Sequence, residues 1–371
     1  MSTPKRRPNY WDYIRVDDLL TLQSGLEDDE STLSDDEVLF ITVHQIYELW
    51  FKLVLRELTS VRDLFGAERV DESEMAGAVH GCQRVVTILR RCVEHFEVIE
   101  TLPTKGYLSF RDKLMPASGF QSAQLRQIEI LMGLDQEQRI PLGVEGDYLD
   151  ALRDHLGGES TAYRRVKQQL EDVPSLRDAF ELWLARTPID GVPHDDPDAG
   201  QALDQFVERY TEAHSNEVAI SEQSALSRTM SDEDRAKLTA RYDAERAALR
   251  DYLGADGDGQ RRRCRAALLF ILTYEELPLL TWPGRLLQAV IELEQGFLNF
   301  RQRHARMVER VIGRRTGTGG SSGVDYLDQT ALRYRVFRDL WAVRTFQIRA
   351  EAAPPIARPQ FFGFAAETAA D

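Results

Sequence analysis

Cysteine is scarce in this 371-residue sequence, which has three, at positions 82, 92 and 264. Such an odd, scattered set fits neither a disulfide framework nor a zinc site, and it predicts reduced thiols in a cytoplasmic protein. Long apolar runs are missing as well. The longest, from Ala266 to Leu272, is far too short to span a bilayer, and no apolar stretch follows the basic N-terminus. We therefore expect neither a membrane span nor a signal peptide.

Positive charge is also in deficit, with 46 lysines and arginines against 61 acidic residues and a formal net charge of −15. An acidic surface repels phosphate backbones and anionic lipid, so we expect no nucleic-acid partner and no membrane partner. Signals for β-strands are few, because no segment alternates cleanly between apolar and polar residues. The apolar fraction of 43% is that of an ordinary globular protein.

Helical periodicity dominates the sequence instead. Ser34 and the three acids after it predict a capped helix start, and apolar residues then recur every three or four positions from Val38 to about Leu64. A second run of this kind ends before Pro103, and a third extends from about Arg285 to Ile312. Helices of this length predict an all-α fold, an elongated bundle whose elements share one core.

The middle of the chain, about 150–260, is more polar and contains Pro-, Asp- and Gly-rich segments. This composition predicts a helical insertion or cover on the main bundle. The predicted organisation is an N-terminal arm and first helix (1–35), core helices (36–150), the insertion (151–260), further core helices (261–345) and an Ala/Pro-rich tail (346–371).

Two histidines stand on apolar helix faces, His44 between Phe40 and Tyr47, and His304 between Phe300 and Met307. One interpretation is that each is a core histidine bonded to a backbone carbonyl. The other is that both face a cofactor between helices, because a neutral imidazole is a good axial ligand for haem iron. Zinc is disfavoured, since neither histidine has a second ligand three or four residues away.

Two further segments are candidates for substrate binding. Arg111 lies among apolar and aromatic neighbours, where a guanidinium requires a carboxylate from the protein or from a ligand. The glycine-rich segment Gly317–Gly323 has the composition of a flexible loop. The functional alternative is a lid that closes over substrate, with the Thr318 hydroxyl as a donor. Ser118 and Ser122 are typical of helix caps.

Several segments, in this order along the chain, resemble the tryptophan 2,3-dioxygenase family. They are Tyr10–Asp17, Asp36–Gln45 with Glu48–Trp50, Phe110–Leu114, Ser118–Ser122, Arg303–His304, Val308–Gly313, Gly317–Gly323 and Tyr326–Leu327. The resemblance implies an α-helical dioxygenase that depends on haem b, with one haem enclosed in each subunit of a homotetramer.

The resemblance also implies roles for individual residues. His304 matches the proximal histidine that ligates the haem iron, and His44 matches the distal, catalytic histidine that accepts a hydrogen bond from the substrate indole N–H. Positions near the haem are Ser118 and Gly119. Substrate-binding positions are Phe40 (indole wall), Tyr107 and Arg111 (carboxylate clamp), Thr318 (ammonium and carboxylate), and Tyr10 and Tyr13, which reach the pocket of a neighbouring subunit.

The implied reaction inserts both atoms of O2 across C2–C3 of the L-tryptophan indole and yields N-formyl-L-kynurenine. This is the first step of kynurenine-type tryptophan catabolism. Two alternatives stay open at this point. One is a family relative in a biosynthetic pathway that oxygenates a substituted tryptophan or inserts a single oxygen atom. The other is a non-catalytic haem-binding helical protein.

Overall fold

The computed structural model describes residues 9–115, 119–140, 148–154, 156–228, 231–254, 257–316 and 323–363. Within these ranges the chain is α-helical and forms no strand beyond one isolated bridge, between Ile189 and Val192. The predicted all-α fold is therefore confirmed. The α-helices are α1 Tyr10–Tyr13, α2 Val16–Leu19, α3 Asp35–Gly66, α4 Glu72–Ile99, α5 Thr104–Leu114, α6 Ala123–Met132, α7 Thr161–Glu171, α8 Leu176–Ala185, α9 Ala199–Leu226, α10 Asp232–Gly254, α11 Gly259–Thr273, α12 Pro278–Ile312, α13 Val324–Arg333 and α14 Arg338–Ala342.

Helix α3 begins, and helix α4 ends, where the sequence predicts. The Ser34 hydroxyl accepts a hydrogen bond from the backbone N–H of Glu37 (3.2 Å), which confirms the expected cap of α3. Helix α4 ends at Ile99, four residues before Pro103. Ser122 likewise caps α6 by accepting a hydrogen bond from the N–H of Leu125.

Helix α12 begins at Pro278, seven residues before the predicted start, and at 35 residues it is about 52 Å long. Pro278 occupies the first turn, where a missing N–H costs nothing, and the buried Leu280 shows that this turn already faces the core. Pro283 lies inside the helix. The sequence pattern does not predict this start, because proline is normally a helix breaker and two prolines lie within these six residues.

Helix α4 packs against both α3 and α12 and forms the centre of the bundle. The two helices are in tight contact at Gly296 of α12, where a Cβ would lie 3.0 Å from the Leu89 Cδ1 atom of α4. Leu89 is fully buried in the main core. The absence of a side chain at position 296 therefore allows the two helices that frame the site to approach each other closely.

We expect Leu89→Ala to destabilise the protein by about 2–5 kcal/mol, since it removes buried methyl groups beside a glycine that cannot fill the space. Urea unfolding followed by circular dichroism measures this. The matched control is Leu182→Ala on α8, where the side chain is 47% exposed and the loss should be below about 1 kcal/mol. Equal losses at the two positions would contradict the packing described here.

The middle of the chain packs against the main bundle through buried residues. Phe180, Phe206 and Leu253 belong to the same buried cluster as the cores of α3, α4 and α12. Most of α10 is exposed, with Leu249, Tyr252 and Leu253 as its buried residues. Helices α9 and α10 therefore pack against each other, and α10 is buried only at its C-terminal end. The division of the chain at 36, 151, 261 and 346 remains a prediction.

The N-terminal arm, residues 9–33, is attached to the side of α3. The Gln45 side chain accepts a hydrogen bond from Gln23 Nε2 (2.6 Å) and donates one to the Leu22 carbonyl (2.7 Å). Tyr10 and Tyr13 are 75% and 78% exposed at the start of this arm. The arm therefore presents aromatic side chains outward from the chain.

Helix α3 is the one helix in the described ranges that is long and apolar enough to cross a membrane, judged by length and composition. Glu48 and Lys52 interrupt its apolar run, which is why the sequence shows no long run there. Core helices of soluble proteins meet the same criterion. One face of α3 is buried in the core, while Leu49 and Leu53 are 50% and 42% exposed.

Candidate functional site

His304 projects from α12 into the interior of the bundle. Its ring stacks on Phe96 of α4, with centroids 5.5 Å apart and planes 3° apart. Burial lowers the pKa of His304 to about 4, with smaller contributions in the same direction from His44 and Arg301, so the imidazole is neutral at pH 7. Among the described residues nothing forms a hydrogen bond with this ring, although the side chain keeps some accessible surface. A neutral imidazole is what an axial haem ligand requires.

His44 lies on α3 one turn before Tyr47, whose ring is 5.1 Å from the Phe96 ring on which His304 stacks. The Nδ1 atom lies 2.7 Å from the Phe40 carbonyl oxygen, and because a carbonyl only accepts, Nδ1 carries the proton. Burial lowers the pKa of His44, with the Phe40 bond and Glu48 acting in the opposite direction. The neutral ring therefore has Nε2 as an acceptor that no described residue uses, and the residue is exposed.

An aromatic wall lies next to His44. Phe40 is one turn earlier on α3, with its ring 4.1 Å from the His44 ring between centroids. Tyr107 and Phe110 of α5 lie 6.0 Å and 5.5 Å from Phe40. Tyr107 and Phe110 also contact each other, with ring centroids 5.6 Å apart, so the three rings form one aromatic cluster beside His44.

Arg111, in the last turn of α5, is an arginine with unmet donors. Its Nη2 donates to the Thr316 carbonyl (2.6 Å), at the start of the glycine-rich segment, but its buried Nε has no acceptor. In the described ranges no carboxylate forms an ion pair with it. Burial raises the pKa of the adjacent Tyr107, and Arg111 opposes that shift. A guanidinium in this state is suited to a ligand carboxylate.

The remaining predicted residues are placed as follows. Ser118 and Thr318 lie outside the described residues. Gly119 begins a short 3-10 turn in front of α6, and a Cβ there would meet nothing within 4 Å. Tyr10 and Tyr13 are exposed on the N-terminal arm, and none of the ring contacts of the site includes them. The structure thus brings together His44, His304, Phe40, Tyr107 and Arg111, and the role of each residue remains a prediction.

Two features of the site were not assigned from the sequence. Phe96 was visible only as part of an apolar stripe, and its stacking on His304 depends on how α4 meets α12. The second is Glu129, a fully buried carboxylate on α6 that is surrounded by arginines. The signal for it was Arg126 and Glu129 at a spacing of three residues in an otherwise apolar helix.

These elements define an all-helical protein with a binding site in its bundle, where two neutral imidazoles, an aromatic wall and an arginine with unmet donors suit a cofactor and a carboxylate-bearing aromatic ligand. The chain belongs to the tryptophan 2,3-dioxygenase family, whose model matches residues 4–347.

Named relatives agree with this membership. A tryptophan 2,3-dioxygenase of Sorangium cellulosum is 52% identical over 97% of this chain and 88% of its own length. Tryptophan 2,3-dioxygenase 2 of Ralstonia nicotianae is 47% identical over 97% of this chain and 98% of its own. A tryptophan 2,3-dioxygenase-like protein of Xanthomonas campestris is 47% identical over 72% of this chain and 99% of its own.

Proposed function

We propose that this chain is a haem-dependent oxidoreductase that inserts both atoms of O2 across C2–C3 of L-tryptophan and releases N-formyl-L-kynurenine. Membership of the family and the names of relatives about 50% identical support the reaction and its two substrates. The observation that carries the haem is the neutral, interior imidazole of His304, which stacks on Phe96 and makes no hydrogen bond with the described residues.

The residues present fit a haem b group. His304 would hold the iron through its unprotonated nitrogen, and the stacked Phe96 fixes the plane of that imidazole. Ser118 and Gly119 are the other residues expected near the haem, and a Cβ at Gly119 would meet nothing within 4 Å. When bound, the haem supplies the binding of O2 and its activation towards the indole.

The protein residues orient the substrate. Nε2 of His44 accepts a hydrogen bond from the indole N–H, because Nδ1 is already committed to the Phe40 carbonyl. Phe40, Tyr107 and Phe110 pack on the indole and keep water away. Arg111 holds the substrate carboxylate with its unmet donors, and Thr318 contacts the amino-acid head. The indole is thereby held at one position relative to the cofactor, which lowers the entropic part of the barrier.

We expect His44→Ala to retain haem and to lower kcat/KM for L-tryptophan by up to about tenfold, since one neutral hydrogen bond contributes roughly 0.5–1.5 kcal/mol. Steady-state kinetics and the haem absorption band measure the two effects. His80→Ala, an exposed histidine on α4, is the control and should change neither. Loss of haem from the His44 variant would show that the two histidines have exchanged roles.

The reaction itself is tested by supplying purified, haem-loaded protein with L-tryptophan and O2. We expect the absorbance of N-formylkynurenine to appear with one O2 consumed per product. A product that keeps a closed indole ring, or carries a single added oxygen, would instead indicate a biosynthetic relative. Haem binding without any turnover would indicate a binding protein.

We also propose that the protein is a homotetramer in which Tyr10 and Tyr13 reach the site of a neighbouring subunit. The exposure of both rings, and of Leu49 and Leu53 on the outer face of α3, supports an interface there. Light scattering should give about four times the 42.4 kDa of one chain. A monomer with full activity would contradict this assembly.

A cytoplasmic location is the last part of the proposal. It is supported by Cys82, Cys92 and Cys264, which are all buried thiols without a disulfide partner. Burial raises the pKa of Cys82 to about 12, so this thiol is neutral and unreactive.

A further inference from the structure

Helix α5 carries three residues of the site but buries little of its own surface. Tyr107 and Phe110 are its buried side chains, and both belong to the aromatic cluster beside His44. The helix has 11 residues, a length at which an isolated helix is marginal in water. The position of Arg111 in its last turn therefore depends on how α5 is attached to its neighbours.

The first turn of α5 is attached to both α12 and α3. The Thr104 hydroxyl donates a hydrogen bond to the Val311 carbonyl near the end of α12 (2.8 Å). Gly106 lies directly against Asp36 of α3, where a Cβ would collide with the Asp36 carboxylate. Both contacts hold the N-terminal end of α5, whereas Arg111 lies at the other end.

An ion pair attaches the last turn of α5 to the first turn of α3. Nζ of Lys113 donates a hydrogen bond to Oε2 of Glu37 (2.9 Å), and the two side chains are 49% and 8% exposed. Within the described ranges, Lys113 is the one cation that forms an ion pair with Glu37. Removing Lys113 would leave a nearly buried carboxylate without a partner, which is costly.

The local sequence of α3 offers this carboxylate another partner. In a capping box, the acid three residues after the N-cap bonds the backbone N–H of the N-cap residue. Glu37 stands at that position after Ser34, and its own N–H bonds the Ser34 hydroxyl. Its carboxylate nevertheless bonds Lys113, which is 76 residues away in the sequence. The bond thus joins two helices where a bond within α3 was available.

The ion pair joins the two helices that form the substrate side of the site. Phe40 lies three residues after Glu37, and Arg111 lies two residues before Lys113. The rings of Phe40 and Phe110 meet between the same two helices, with centroids 5.5 Å apart. A shift of the last turn of α5 would therefore move the Arg111 guanidinium relative to the aromatic ring of Phe40.

We propose that Lys113, through its ion pair with Glu37, positions Arg111 for the substrate carboxylate and so helps the site to select an amino acid over the corresponding amine. This inference rests on the proposed function, because it requires the carboxylate clamp of that proposal. Lys113 is a positioning residue, since it acts through Arg111 and not on the reacting atoms.

The test measures kcat/KM for L-tryptophan and for tryptamine, which lacks the carboxylate, on the haem-loaded protein. We expect Lys113→Met to lower the preference for L-tryptophan by about fivefold or more through a higher KM, because a small displacement of a binding group has a large effect. Turnover of tryptamine should stay within about twofold of the wild type. Lys113→Arg, which can form the same ion pair, should keep most of the preference.

A double variant tests whether the effect passes through Arg111. In an Arg111→Ala background, Lys113→Met should cause no further loss of preference, because the group that it positions is already absent. Lys167→Met is the matched control, since Lys167 pairs with Glu159 on the surface, where the side chains are 53% and 45% exposed. It should leave the preference unchanged.

Three results would overturn the inference while leaving the proposed function intact. They are a Lys113→Met protein that keeps the full preference, one that loses activity equally on both compounds, and a loss that persists in the Arg111→Ala background. A wild type that does not oxidise L-tryptophan would overturn the proposed function itself.

Discussion

His304→Ala is expected to remove the haem absorption band and to abolish turnover. The variant loses the proposed ligand of the iron, and even the outer partners of metal ligands are worth 10–100-fold in affinity, so haem binding should weaken by more than about a hundredfold. The fold should survive, because His304 makes no hydrogen bond with the described residues and its ring contacts are with Phe96 and Phe300. Haem titration and circular dichroism measure the two properties.

The control for this variant is His304→Gly with added imidazole. Free imidazole can occupy the space left by the side chain, so it should restore the haem band in a concentration-dependent manner. A His304→Ala protein with an unchanged absorption spectrum and unchanged haem affinity would contradict the assignment of His304 as the axial ligand.

Arg111→Ala is expected to lower kcat/KM for L-tryptophan by about 30- to 1,000-fold. This corresponds to the loss of a charge-assisted contact to the substrate carboxylate, on the order of 2–4 kcal/mol. The haem band should be unaffected, because Arg111 is not among the residues proposed to hold the haem.

Tryptamine sharpens this test, since it has the indole and the ammonium but no carboxylate. The wild type should favour L-tryptophan over tryptamine by the same large factor, and Arg111→Ala should lose most of that preference. Arg165→Ala, an exposed arginine on α7, serves as the control and should behave as the wild type. A variant at position 111 that still discriminates strongly between the two compounds would rule out the carboxylate clamp.

Much of the fold follows from local sequence. The cap at Ser34 and the stop before Pro103 are determined by residues a few positions apart, so α3 and α4 could be predicted closely. The start of α12 could not, because Pro278 needs no N–H in the first turn, whereas Pro283 lies inside the helix, where only burial of neighbouring residues such as Leu280 offsets its cost. The low helix propensity of proline opposes the helix at this point, and the burial of apolar neighbours outweighs it.

The site was predictable where a polar residue interrupts an apolar stripe. His44, His304 and Arg111 all stand out in this way, and the resemblance to a family gave each a role. The tautomer of His44 and the lowered pKa of His304 were not accessible, because they depend on the Phe40 carbonyl and on burial in the bundle. The ion pairs of Glu129 with Arg139 and Arg301 could not be predicted either, because these two arginines are 162 residues apart in sequence and meet only in the fold.

The central claim is that the neutral imidazole of His304 ligates the iron of a haem in this bundle. Resonance Raman spectroscopy of the ferrous protein tests it most directly, because an iron–histidine bond gives its own stretching band. We predict this band in the wild type, its loss in His304→Gly, and its return at a shifted frequency when imidazole is added. A band that persists unchanged in the His304→Gly protein would contradict the account.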